Sequence, residues 1–150
     1  SDIFSALRPL DASTRAGDHA RSIELFSEAI DACTPDCAPA AYHQSRSNAL
    51  EKLGKHKEAL ADADRAIELE PDWAGGYVCR GNTLGSMCKK HGANQWAGAR
   101  AAYEHVLAYE TDPTKRDMMK RLIVALRVEE ARALRDDTHD DVVLHYITRH

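Results

Sequence analysis

Four cysteines and eight histidines are the first side chains of this 150-residue sequence to weigh as metal ligands, nucleophiles or bases. Two pairs have ligand-like spacing, Cys33-x3-Cys37 and Cys88-x2-His91. Zinc uses thiolate and imidazole at such spacing, but a structural site needs four converging ligands. Neither pair forms a two-plus-two signature, and they fall in different layers of the predicted helices. A Cys33–Cys37 disulfide would require an oxidising compartment. Among the histidines, His105, His139, His145 and His150 scatter over polar faces, with no fixed partner. The sequence contains no Gly-x-Ser-x-Gly, His-Glu-x-x-His, phosphate loop or dinucleotide fingerprint. The expectation is a chain with no catalytic residue, no metal and no cofactor, hence not an enzyme.

Composition narrows the partners. With 43% hydrophobic residues, 29% charged residues and a formal net charge of -4, the chain has an ordinary globular balance and a length suited to one domain. Acidic residues dominate only at the start: residues 1–40 hold three basic and seven acidic side chains, 41–113 nine and ten, 114–150 eight and seven. No polybasic face announces nucleic acid. The longest apolar runs are far too short for a membrane span, and the opening residues do not read as a secretory leader. Four cysteines are too few for a disulfide scaffold, so a reduced, cytoplasmic setting is expected.

The elements that would position any site are all helical. Apolar residues recur at i, i+3 and i+4, and alternating strand patterns are missing. The spacing predicts helices over 5–16, 18–32, 39–53, 56–69, 74–89, 95–110, 114–136 and 138–147, an all-α fold. Gly17, Gly54 and Gly92 supply turns, and Pro35, Pro39, Pro71 and Pro113 stop or open helices. Turns of two or three residues force antiparallel hairpins.

Those hairpins repeat. Residues 40–73 read "AAYHQSRSNALEKLGKHKEALADADRAIELEPDW", and "AGGYVCRGNTLGSM" begins one period of 34 residues later at Ala74. Gly17 aligns with Gly54, His19 with His56, Phe26 with Ala63, and Ala29-Ile30 with Ala66-Ile67. The small residues Ala59, Ala63 and Ala66 stand where helices must approach closely, because a larger side chain would hold them apart. Leu50, Leu53, Leu60, Ile67 and Tyr77 are expected to fill the gaps between layers. This pattern of small, bulky, small and a closing proline resembles the tetratricopeptide repeat (TPR). The third repeat matches it with Tyr77, Gly81, Leu84, Ala99 and Tyr103. Departures are His43 for the first aromatic, Arg46-Ser47 for Leu-Gly, and the insertion "CKKHGAN" in the third turn.

The resemblance implies an α-α superhelix: a single domain over 1–150, with repeats near 5–36, 40–73 and 74–113 and capping helices over 114–150. Thr114 with Asp117, and Thr138 with Asp141, are expected to cap those last helices. The resemblance also implies a hollow lined by the first helix of each pair, where another protein's peptide or helix lies. By repeat position that hollow would present Leu7, Asp11, Gln44, Ser45, Asn48, Lys52, Val78, Cys79 and Asn82. The chain is most similar to TPR domains of co-chaperones, whose two-carboxylate clamp holds the chaperone C-terminus. The clamp positions here carry Leu7, Asp11, Ser45, Gly75 and Cys79, none of them basic. Gly75, Gly76 and Gly85 leave room either for a ligand or for nothing in particular. The function expected is a protein-binding scaffold. The alternatives are a co-chaperone-like contact through another surface, or self-association into a homo-oligomer through residues 138–150 or an open first repeat.

Overall fold

Glycine at a left-handed position ends a helix without strain, and two of the predicted turn glycines do so here. Gly54 (φ 77°) closes one hairpin and Gly92 (φ 62°) the next. The computed structural model describes residues 17–33, 38–92 and 94–149. Six helices follow in order: α1 (His19–Ala32), α2 (Ala40–Lys52), α3 (His56–Leu69), α4 (Ala74–His91), α5 (Trp96–Tyr109) and α6 (Pro113–Arg149). No strand occurs among the described residues. The predicted helix over 5–16 lies outside them, together with Leu7 and Asp11.

Each helix packs on the next from α1 to α6, and α2 also touches α4. This is the contact pattern of stacked hairpins, in which first helices line up beside first helices. The second helices α1, α3 and α5 each have 14 residues. Among the first helices, α2 has 13 residues and α4 has 18, so the insertion is absorbed as extra helical turn rather than as a long loop.

The small side chains sit where the repeat demands them. Ala59, Ala63, Ala66 and Ala99 are fully buried. Ser47 on α2 comes close enough to donate its hydroxyl to the Ala59 carbonyl at 2.7 Å. The glycines of α4 serve the same purpose. A Cβ at Gly76 would stand 2.8 Å from Ile67 Cγ1, one at Gly81 2.5 Å from the Tyr103 ring, and one at Gly75 2.5 Å from the Trp73 ring. Gly85 meets Leu126 of α6. Neighbouring helices, rather than a ligand, occupy the space these glycines leave. Leu53, expected between layers, is instead exposed.

The largest apolar cluster joins Leu84 and Cys88 of α4, Trp96, Tyr103 and Val106 of α5, and Met119, Ile123 and Leu126 of α6. The first stretch of α6 therefore closes the stack, as a terminal helix of a repeat array must. Two expectations about this region are corrected. Residues 113–149 form one helix of 37 residues, about 55 Å long. Asp136, Thr138 and Asp141 are tolerated inside it because none carries the large helix penalty of glycine or proline. Its cap is Asp112, whose carboxylate accepts from the Thr114 amide at 2.8 Å and lies 3.4 Å from the Lys115 amide. Pro113 then takes the first helical position, where a missing N–H costs nothing.

Candidate functional site

A buried polar network fixes the first helix of the central hairpin. Asp62 of α3 accepts from Arg46 Nε and Nη2, both at 2.7 Å, and lies 3.0 Å from His43 Nδ1. Arg46 Nη1 also reaches the Ser27 hydroxyl of α1 at 3.1 Å. The hydrogen bond to Asp62 holds the guanidinium pKa above its ordinary value. This explains His43 in place of an aromatic and Arg46 in place of leucine: an ion pair takes over the site that two apolar residues fill elsewhere. Arg80 repeats the theme one layer on, pairing with Asp64 at 2.8 Å. Both arginines are thus turned toward the second helices.

Two cavities lie along the face shared by α2, α4 and α6. One, of about 270 Å³, is lined by Gln44, Val78, Gly75 and Trp73 on one side and by Lys115, Met118 and Met119 of α6 on the other. The second, of about 300 Å³, has Glu51, Lys52, Asn82, Ser86 and Lys89 facing Leu122, Ala125 and Leu126. The first is the more apolar, with methionines and valine beside Gln44 and Lys115, and the second the more polar, with two lysines, Glu51 and Asn82 facing the leucines of α6. Ser86 donates to Glu51 Oε1 at 2.7 Å, and the Tyr103 hydroxyl donates to Asn82 Oδ1. Burial pushes the Tyr103 hydroxyl pKa up, so it stays a neutral donor.

The sequence-predicted residues divide accordingly. Gln44 and Val78 line the first cavity, and Lys52 and Asn82 the second. Asn48 is exposed, and its side-chain oxygen accepts from the Cys79 thiol at 3.1 Å. Cys79 itself is buried between α2 and α4, also 3.7 Å from the Gln44 carbonyl. Burial pushes its thiol pKa up to about 12, so it is a packing thiol, not a nucleophile. Ser45 is half-buried and lines neither cavity. Repeat spacing alone missed the α6 wall of Met118, Leu122 and Ala125. The signal was present, because a capping helix has one face on the core and a flank beside the hollow.

Of the suggested ligand pairs, only Cys88 and His91 lie wholly within the described residues. Cys37 lies outside the described residues. Cys88 is buried and its sulfur accepts from the Gln95 amide at 3.3 Å. His91 instead stands edge-on to His56, centroids 5.1 Å apart. No group of three or more metal-ligating side chains occurs among the described residues. His105 does not lie on a polar face as expected. It stacks on Tyr77 with centroids 3.7 Å apart.

Comparison with known proteins agrees with this geometry. Residues 40–73 match the model of the tetratricopeptide repeat. The Hsp70-Hsp90 organizing protein of Triticum aestivum is 36% identical over 123 residues, 81% of this chain but 19% of that protein. The Hsp70-Hsp90 organising protein of Plasmodium falciparum is 29% identical over 106 residues, covering 71% of this chain and 38% of that one. The chain thus spans well under half the length of these relatives. Among solved structures, the TPR2B domain of yeast Sti1 in complex with an Hsp70 peptide superposes with a TM-score of 0.72 at 18% identity, over 85% of this chain and 97% of that one. The second TPR domain of human RPAP3, in complex with the HSP70 peptide SGPTIEEVD, gives 0.68 at 22% identity, over 83% and 94%. Repeat match, helix order and superposition lead to one conclusion: residues 40–73 are a tetratricopeptide repeat, and the described helices have the fold of TPR domains.

Proposed function

We propose that this domain is an adaptor that holds a segment of another protein in the hollow between α2, α4 and α6. The observation that supports this most is the pair of cavities on one face, both walled by first helices and by the capping helix. An extended peptide or an amphipathic helix would set an apolar side chain against Val78 and Met118, and polar groups against Lys52, Asn82 and Lys89. Leu7, Asp11, Gln44, Ser45 and Asn48 complete the proposed binding face, and Cys79 supports it from beneath. The reading is of a binding module rather than an enzyme, since its relatives are named as organizing proteins. A cytoplasmic location fits the buried thiols of Cys79 and Cys88. No described helix is long and apolar enough to cross a membrane.

The two solved structures named above hold Hsp70 peptides, and a narrower reading follows for this chain. A doubly anionic chain end needs charge-assisted donors. Among the described clamp positions, Gly75 is covered by Trp73 and Cys79 is sealed under Asn48. Neither offers such a donor, and Ser45 offers only a neutral hydroxyl. The domain therefore would not grip an EEVD-type tail by its terminal carboxylates. Calorimetry with the peptide SGPTIEEVD and its C-terminal amide tests this. The two should be indistinguishable, with no micromolar binding that depends on the free carboxylate. Micromolar affinity lost on amidation would overturn the reading and restore a chaperone clamp. Contact with a chaperone through another surface, or self-association, would leave substitutions at Val78 and Met118 without effect on partner recovery.

A further inference from the structure

Beside the hollow, around the end of α5, lies a third cavity of about 430 Å³ with a different character. Tyr77, His105 and Tyr109 form its aromatic side, and Asp72 and Glu110 supply carboxylates. The rings make a continuous strip. Tyr77 and His105 are parallel within 10°, and Tyr109 leans on His105 at 46° with centroids 5.0 Å apart. Tyr109 is 75% exposed, an unusual place for a large ring. A ring face carries negative potential and attracts cations, above all weakly hydrated ones.

Charge on the rim points the same way. Glu110 Oε1 accepts from the Thr111 and Asp112 amides at 3.0 Å each, and Lys115 approaches Oε2 only to 3.9 Å. Asp72 is exposed and forms no ion pair among the described residues. The cavity thus combines aromatic faces with one carboxylate held in place and one unpaired. Because Tyr77 and His105 already touch, the rings cannot form the open box that surrounds a trimethylammonium group. They leave ring surface and two carboxylates lining one cavity. A planar guanidinium can stack on a ring face while its edge donates to oxygen.

We propose that this wedge is a second binding site, for the guanidinium of an arginine side chain presented by a polypeptide. It shares Ala74, Val106 and Glu110 with the apolar cavity of the hollow, so one chain can occupy both. The site does not depend on the hollow being a binding groove.

The test uses the full chain and N-acetyl-arginine amide as probe, followed by aromatic carbon–proton NMR. The citrulline analogue controls for shape without charge and the lysine analogue for a compact ammonium. Saturable shifts of the Tyr77, His105 and Tyr109 rings with the arginine probe are expected. The lysine probe should be weaker and the citrulline probe silent. Tyr109→Ala should weaken arginine binding about twofold to fivefold, the factor of an exposed cation–π contact. Since Tyr109 is mostly exposed, that variant should keep the parent melting temperature, and Asp72→Asn gives an independent second reading. Equal shifts with citrulline or lysine would overturn the proposal. So would silence up to about 50 mM probe, a concentration at which ring stacking combined with charge-assisted hydrogen bonds should give measurable occupancy.

Discussion

Asp62 shows how much one carboxylate can organise when it is buried with its partners. Its oxygens face Arg46 twice and His43 once, across 16 and 19 residues of sequence. Removing the charge while keeping the shape, in Asp62→Asn, leaves a half-buried guanidinium with a weaker acceptor. The expected loss is about 1–3 kcal/mol in urea unfolding at neutral pH. His56 offers a test of a different kind. It is buried, neither ring nitrogen has a hydrogen-bond partner, and burial lowers its pKa, with His91 and Lys90 acting in the same direction and Glu51 against. Unfolding frees the ring to take up a proton at its ordinary pKa of about 6.5. The unfolded state then binds more protons, so stability must fall as pH drops through that value. Melting temperature measured from pH 7.5 to 5.5 should decline, and His56→Phe should flatten that decline. An unchanged slope in the variant would assign the effect elsewhere. Arg46 was legible in the sequence as a departure from the repeat. Cys79 was not, because spacing placed it on the groove side of α4 without revealing that α2 comes close enough to cover it.

Among the elements, α4 and α6 carry the most information. Four glycines in one helix look like weakness by propensity, each costing about 1 kcal/mol relative to alanine. Packing accounts for them: Trp73, Ile67, Tyr103 and Leu126 each fill the place of a missing Cβ. Sequence alone could identify the need for Gly81 from the repeat, but the other three depend on which neighbour leans in. On α6, Met119, Ile123 and Leu126 lie in the core, whereas the equally apolar Met118 and Leu134 are exposed. The predicted break before 138 failed because acidic and hydroxyl residues that can cap a helix can also continue one. Two substitutions separate cap from core. Asp112→Ala should cost about 0.5–2 kcal/mol by loss of the amide acceptor. Met119→Ala should cost about 2–5 kcal/mol by loss of burial and creation of a cavity. Chemical denaturation of both variants checks the order, and an equal or reversed pair of values would contradict the packing described for α6.

For the molecule as a whole, repetition was the readable feature. The 34-residue period of residues 40–73 and 74 onward specified paired helices, their order and the face on which first helices align. What a period cannot specify is the final wall, since the capping helix belongs to no repeat. Met118, Leu122 and Ala125 entered the hollow only when α6 was placed against α5. The same geometry separates two sides of α6: Met118 borders the hollow, whereas Val124 and Val128 are exposed apolar residues that line neither cavity. The most direct measurement is position-resolved photocrosslinking, with a benzoylphenylalanine placed in turn at 78, 118, 124 and 128 of the folded chain and irradiated in cell extract. The account predicts shared crosslinked species from 78 and 118, and none of those species from 124 and 128. Equal labelling from all four positions, or labelling from 124 and 128 alone, would contradict the hollow as the binding face.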